Sequence, residues 1–285
     1  MYKRQADYIA ETLKSVLNQT YCDYEVIVVN DSSTDNSLEV ASSFQDERIH
    51  IYTKENEGVS AARNYGIMHA KYDYIAFLDA DDIWESDYLE CQKKLIGTYP
   101  DAGIYSTAFY SLEKGKRKLR NVLINEHIHF LVHDYFKESV MNGLSICWTS
   151  SLCLKKEVIK EIPMFRVGIK RGEDLDLWLR IALNYDVAYL NLPKVFYRTG
   201  LSDSLTSDYS KNGEFPYYEW FNFTSESSYY RKYVILVVYI HAKNAFIHHD
   251  YDTCLAELWS VKTIAWRFKW AERLLLLVIS WIKSK

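Results

Sequence analysis

The chain has 285 residues, 48% of them hydrophobic, and a formal net charge of −4. That is enough apolar material for one large core, or for one domain with an appendage. The acidic balance excludes a protein whose main partner is nucleic acid, since phosphate binding on that scale calls for a basic surface. Five cysteines, Cys22, Cys91, Cys147, Cys153 and Cys254, are scattered without a C-x-x-C pair. Neither a zinc site nor a disulfide framework is indicated, and a reducing, cytoplasmic setting is expected. Met1 to Gln5 is polar rather than leader-like, and the apolar run from Leu274 toward Ile282 falls short of the roughly 18 residues that span a bilayer.

Ile9, Leu13, Val16 and Leu17 recur at helical spacing, so Ala6 to Asn18 is read as an amphipathic helix with no strand ahead of it. A parallel α/β unit normally begins with a strand feeding its first helix. Glu25 to Asn30 reads as a strand buried on both faces, and it runs into the polar loop Asp31 to Ser37. Asp31 leaves the sheet edge where it could accept hydrogen bonds from a base or ribose, whereas Thr34 and Asp35 look like capping residues. Ile49 to Thr53 is a short strand. Gly58 then opens a small-residue helix that carries Arg63 about one turn inside, within reach of a phosphate or a neighbouring carboxylate. An arginine so placed is equally compatible with an ordinary ion pair.

Tyr74 to Leu78 reads as a buried strand ending in Asp79, Asp81 and Asp82 at the carboxyl edge, where ligands of open α/β sheets bind. Carboxylates crowded together repel unless a cation sits among them, and hard oxygen donors suit Mg²⁺ or Mn²⁺ shared with substrate phosphates. The plainer reading is helix capping by Asp82 or Asp87, with Glu90 completing a capping box. A helix follows from about Asp87 to Gly97, then a strand over Gly103 to Leu112 with the basic turn Gly115 to Lys118, and a further strand over Ser145 to Leu154. His127, His129 and His133 lie close in sequence, but no cysteine or carboxylate stands at ligand spacing, so helix or loop histidines are expected. In Arg171 to Arg180, Leu175, Trp178 and Leu179 share a helical face with Ala182, which leaves Glu173 and Asp174 at the positive N-terminal end just after Gly172. A carboxylate held ionised there could take a proton from an acceptor hydroxyl, and simple capping would account for one of the two. Leu190 to Tyr197 gives a last strand.

Val28 to Asp35 (VVNDSSTD), Asn56 to Gly66 (NEGVSAARNYG), Phe77 to Asp82 (FLDADD) and Gly172 to Arg180 (GEDLDLWLR) stand in an order and at spacings that resemble the family 2 glycosyltransferases of the GT-A fold. The resemblance covers about Ala6 to Leu205. It implies an α/β fold, a Rossmann-like mixed sheet with helices on both faces, and inverting transfer from a nucleotide-diphosphate sugar to a saccharide or lipid-linked acceptor in cell-surface polysaccharide assembly. On that basis Asp31 would hold the base, Asp79 the ribose or metal surroundings, and Asp81 the Mn²⁺ or Mg²⁺. Arg63 would join the nucleotide-side charge network, Asp174 would be the general base, and Glu173 would face the acceptor or support the groups that do.

Two departures accompany the resemblance. Relatives begin with an apolar strand ending in a nucleotide-touching loop, where this chain has Met1 to Gln5, so a GT-A domain over 1–205 lacking its first strand is expected. Relatives also often carry a histidine soon after the position of Arg198, where this chain has Thr199 to Ser202. From about Thr206 the motifs stop, and 206–285 reads as a helical extension with helices over Tyr233 to Phe246 and Ala256 to Ile282. The aromatic-rich stretch Tyr209 to Tyr230 is expected to pack on the domain rather than stack on sugars. Apolar and aromatic residues among Lys262, Arg267, Lys269 and Arg273 suit an in-plane helix at the inner face of a membrane, and equally a helix packed on its own domain or on a second copy. A catalytically silent sugar-nucleotide-binding or scaffold protein is the rival function. A nucleotidyltransferase would need a Gly-rich, Lys-containing phosphate loop, which the sequence lacks.

Overall fold

The computed structural model describes residues 6–143, 145–169, 171–200, 217–220, 223–247, 249–250 and 252–256. Helix α1 (Ala6–Leu17) buries Ile9, Leu13 and Val16 of the four residues its spacing selects and leaves Leu17 half-buried. Strand β1 (Val26–Asn30), helix α2 (Ser37–Ser42), strand β2 (Ile49–Thr53), helix α3 (Val59–His69) and strand β3 (Tyr74–Ala76) follow. β1 and β2 pair in parallel, from Val26 opposite Ile49 to Asn30 opposite Thr53, and form a two-stranded sheet by themselves.

The second sheet has seven strands. After β4 (Ile83–Trp84) and helix α4 (Tyr88–Thr98) come β5 (Ile104–Glu113), β6 (Lys116–Arg120), β7 (His129–Val132), helix α5 (Tyr135–Asn142), β8 (Leu152–Lys155), helices α6 (Lys156–Glu161) and α7 (Glu173–Ala182), and the long β9 (Val187–Arg198). The strand order is β3-β8-β5-β9-β4, with β6 added on β5 and β7 on β9. β8 runs antiparallel to both β3 and β5, while β5 and β9 are parallel, so the sheet is mixed, as the resemblance implied.

No strand pairs with both β1 and β3 among the described residues, and the facing edges of the two sheets stand apart. A cavity of about 1500 Å³ lies there, lined by Val26 to Asn30 on one side and Tyr74 to Asp79 on the other. Sequence patterning makes β1 a strand buried on both faces; instead Val26 to Val29 are only half-buried, because no strand among the described residues covers that edge.

Other expectations shift at the local level. Only the last part of the apolar stretch 145–154 is strand, because Thr149 to Ser151 turn through a 3-10 segment before β8. The Asp87–Glu90 capping box does not form. Asp87 instead pairs with Lys194 at 2.6 Å, and Glu90 with Lys94 and Thr20, each at 2.9 Å. His129 meets the Tyr99 hydroxyl and His133 meets Asp186, so the histidines go to separate partners. None of the five cysteines is in a disulfide.

Helices α8 (Tyr217–Trp220) and α9 (Tyr230–Ile247) follow, and α9 sets Tyr230 and Tyr233 against Phe136 of α5. Trp220, Tyr233, Val234 and Val238 join the cluster that holds Ile104, Leu177, Trp178 and Tyr189. Packing is therefore what the aromatic Trp220 does. The rest of the aromatic-rich stretch before Tyr217, and the expected helix beyond Ala256, lie outside the described residues. No helix among the described residues is long and apolar enough to cross a membrane.

Candidate active site

The site forms where the carboxyl end of β3, the start of α3 and the start of α7 meet. Both helices open on a glycine in a backbone region that disfavours side chains: Gly58 has φ 91° and Gly172 has φ 71°. Each turn aims the first helical residues at the same rim. Arg63, on α3, donates from one guanidinium nitrogen to Glu173 Oε1 at 2.8 Å and from another to Asp79 Oδ1 at 2.9 Å. Two motifs and the acid loop are thus joined by a single side chain.

Beneath the guanidinium lies an aromatic floor. Arg63 sits over the Phe165 ring at 5.3 Å, and Phe165, Phe77 and Trp178 pack edge-on or tilted at centroid distances of 5.6 to 6.0 Å. Burial works against a charge here, but Asp79, Glu173 and Asp174 around it outweigh that and hold Arg63 protonated, well above its ordinary value. Glu173 is pushed up to about 7, first by burial and then by neighbouring Asp174, with Arg63 opposing. Asp174 Oδ2 accepts from the Thr149 hydroxyl at 3.0 Å, and Oδ1 accepts from the Leu175 N–H at 2.7 Å.

The three acids of the loop after β3 have different environments. Asp79 faces Arg63 and is over a third exposed. Asp81 is pushed up to about 6, mainly by burial and then by Asp79, while Arg198 lowers it. Asp82 is fully buried and does not cap a helix. Its carboxylate accepts from Ser150 Oγ at 2.6 Å and from the Arg198 N–H at 3.1 Å, and burial raises it well above the usual carboxylate range. Thr12 on α1 donates to the carbonyls of Ala80 and Asp82, and the Arg198 guanidinium bonds the Asp81 carbonyl, so the loop is held from both sides.

Asp31 also lines the cavity, at the end of β1. Its carboxylate accepts from Lys54 Nζ and the Glu57 N–H, each at 3.1 Å, and from the Gly58 N–H at 2.8 Å, which orders the turn into α3. The structure therefore brings Arg63, Asp79, Glu173 and Asp174 into direct or adjacent contact, sets Asp81 beside them, and places Asp31 on the same cavity by way of the Gly58 turn.

Four contributors are not evident from sequence patterning. Thr149 and Ser150 fall inside a stretch that patterns as strand, although three consecutive hydroxyl residues within an apolar run are a signal of a turn. Asp176, fully buried, accepts from Arg180 Nε and from Trp220 Nε1, each at 2.9 Å, and so ties α8 to α7. Arg180 in turn donates to the carbonyls of Pro163 and Met164, next to Phe165.

The sequence profile described as glycosyl transferase family 2 matches residues 1–162. The putative teichuronic acid biosynthesis glycosyltransferase TuaG of Bacillus subtilis is 32% identical over 186 residues, covering 64% of this chain and 70% of TuaG. Glycosyltransferase GlyA of Streptococcus pneumoniae is 31% identical over 202 residues, 67% of this chain but only 29% of GlyA, so the chain spans less than a third of that longer relative. In fold, the crystal structure of S. aureus TarS 1–349 in complex with UDP-GlcNAc matches with a TM-score of 0.70 at 17% identity, covering 89% of this chain and 77% of that one. The family profile takes in more than half of the 285 residues: the chain belongs to glycosyl transferase family 2.

Proposed function

We propose that this chain is an inverting glycosyltransferase that moves a sugar from a nucleotide-diphosphate sugar to a hydroxyl of a saccharide or lipid-linked acceptor in cell-surface polysaccharide assembly, at the inner face of the membrane. The observation that carries the reading is the Arg63 bridge between Asp79 and Glu173, which sets Asp174 beside the acid loop in one cleft. The name of TuaG points to surface polysaccharide, and the UDP-GlcNAc bound to TarS makes uridine donors the first to try.

Asp174 is the group assigned to take the proton of the attacking hydroxyl. Its two oxygens are oriented by Thr149 and by the Leu175 N–H, so little reorganisation is needed when the proton arrives. Arg63 keeps positive charge between the donor side and the base side. Asp31 belongs to the nucleotide side, where it shapes the turn into α3. A single displacement at the anomeric carbon inverts its configuration, and no second carboxylate is required as a covalent nucleophile.

A divalent ion, Mn²⁺ or Mg²⁺, fits the acid loop because Asp81 is a largely buried carboxylate short of compensating positive charge. Asp81 would hold it, with Asp79 in support, and the ion would neutralise charge developing on the departing diphosphate. Asp82 is excluded from that role by its inward bonds to Ser150 and Arg198. Among the described residues no group of three or more His, Cys, Asp or Glu is set for a metal, so diphosphate oxygens and water would complete the ligands.

The test is turnover. The protein is incubated with a panel of UDP- and dTDP-sugars and Mn²⁺, nucleoside diphosphate release is measured, and the anomeric configuration of the product is read by NMR. Release with inversion supports the proposal. A second reading, a sugar-nucleotide-binding protein without turnover, is favoured by one observation, that among the described residues no strand joins the edges of β1 and β3 at the cavity. Binding with no release at all, even as slow hydrolysis, would establish it instead.

A further inference from the structure

Away from the cleft, one surface combines charge and exposed apolar side chains. The hairpin of β5 and β6 carries Lys114, Lys116, Arg117, Lys118 and Arg120, and every residue of β6 is exposed. With Glu113 and Glu126 as the only acids from 113 to 128, this segment has a net charge of +3 in a chain of net −4. Arg117 lies over the Phe196 ring at 4.6 Å and Arg120 donates to Ser111, so two of the cations are laid on the sheet. Lysine on an edge strand is an ordinary guard against pairing with another chain.

The apolar residues beside those lysines go beyond such a guard. Leu119, Val122, Ile124 and Ile128 are all exposed, Ile124 at 99% and Ile128 at 60%. They are held outward by a strap fixed from below. The Tyr189 hydroxyl and the Asn121 carbonyl are bonded, the Asn191 side chain bonds both the N–H and the C=O of Leu123 at 2.9 and 2.8 Å, and the Asn191 N–H donates to the Ile128 carbonyl at 2.7 Å. Leu123 is thereby buried while Val122 and Ile124 on either side point out. Guarding an edge with lysines and then adding exposed aliphatic residues beside it would defeat the guard, unless the pair of features meets a surface that is itself anionic outside and apolar within.

We propose that the β5–β6 hairpin and the strap 121–128 bind the surface of an anionic phospholipid bilayer, with the lysines on the headgroups and Val122, Ile124 and Ile128 in the interface. The place of this patch suits the site. The hairpin leaves the sheet at the carboxyl end of β5, next to the carboxyl end of β9 where Arg198 holds the acid loop, and Asn121 donates to the carbonyl of Ser145 in the cleft wall at 3.0 Å. Docking would bring the cleft to a lipid-linked acceptor. That consequence rests on the transferase reading; binding to the bilayer does not, so the two can fail separately.

The full chain is sedimented with vesicles of phosphatidylglycerol and phosphatidylcholine, and with phosphatidylcholine alone, after circular dichroism has shown each variant folded. The wild type should pellet with the anionic vesicles only. Reversing Lys114, Lys116 and Lys118 to Glu should lower the partition coefficient at least about tenfold, given the contribution of each cation near an anionic surface. Ile124→Asp with Ile128→Asp should also lower it severalfold, with all lysines in place. A wild type that stays in the supernatant, or a lysine variant that pellets like wild type, would overturn the proposal. So would loss in the lysine variant alone, with the isoleucine variant binding normally, since that outcome indicates a site for a soluble polyanion.

Discussion

Arg63 and Glu173 are 110 residues apart in the chain and 2.8 Å apart in space. Their bond, with the second one from Arg63 to the partly exposed Asp79, makes a single charge network of what the sequence shows as three separate motifs. Removing the cation should therefore cost more than removing one acid. Arg63→Met leaves Glu173 and Asp79 facing each other without compensation, and a loss of about 3–5 kcal/mol is expected in urea unfolding. Glu173→Gln keeps a hydrogen-bond partner for Arg63 and should cost well under half as much. Equal losses would show that the network is not organised around the arginine.

Asp81 links function to stability through pH. Its folded value, about 6, lies above the 3.8 of an unstructured aspartate, so the folded state holds the proton more tightly. Stability from this group is complete below the unfolded value and is lost as pH rises through the folded one. In metal-free protein, Asp81→Asn should thus raise stability at pH 7 to 8, by on the order of 1–3 kcal/mol, and change it little near pH 4. Thermal melts across this range measure it. A destabilised variant at pH 8 would mean that the carboxylate is already compensated.

Asp176 should behave as the tie between α7 and the C-terminal helices. Asp176→Asn leaves the Arg180 side chain without its charge partner in the core, and a loss of about 3–5 kcal/mol is expected. Trp220→Phe removes one hydrogen bond and a little area, so about 1–2 kcal/mol is expected. If Trp220→Phe were as damaging as the aspartate change, the packing of α8 rather than the charge cluster would be the main support.

Thr149→Val removes the hydroxyl that bonds Asp174 while keeping the side-chain shape. The maximal rate should drop roughly tenfold with the donor dissociation constant unchanged, as fits a positioning residue. A changed donor affinity with an unchanged rate would place Thr149 on the nucleotide side instead.

The amphipathic spacing of α1 and the apolar face of α7 were legible because each is a local pattern, whereas the strand expected as a buried run over Tyr74 to Leu78 ends at Ala76 and is only half-buried. Also legible were the positions of Asp79, Asp81, Glu173 and Asp174, since strand ends and helix starts put them at one edge. Contacts made across the chain were not. Nothing local to Asp82 shows that Ser150 and the Arg198 N–H turn it inward, and nothing near Asp87 or Glu90 shows that Lys194 and Lys94 would draw them from capping. The half-exposed state of β1 depends on what stands beside it, which a strand's own residues do not encode.

The proposed transfer in the cleft of Arg63, Asp79 and Asp174, with Asp174 as proton acceptor, stands or falls on donor binding and nucleoside diphosphate release measured side by side in wild type and Asp174→Asn. The expected result is a donor dissociation constant within about twofold of wild type with turnover lower by roughly 10²–10⁴-fold. A variant that turns over at the wild-type rate, or that loses donor binding together with activity, would contradict it.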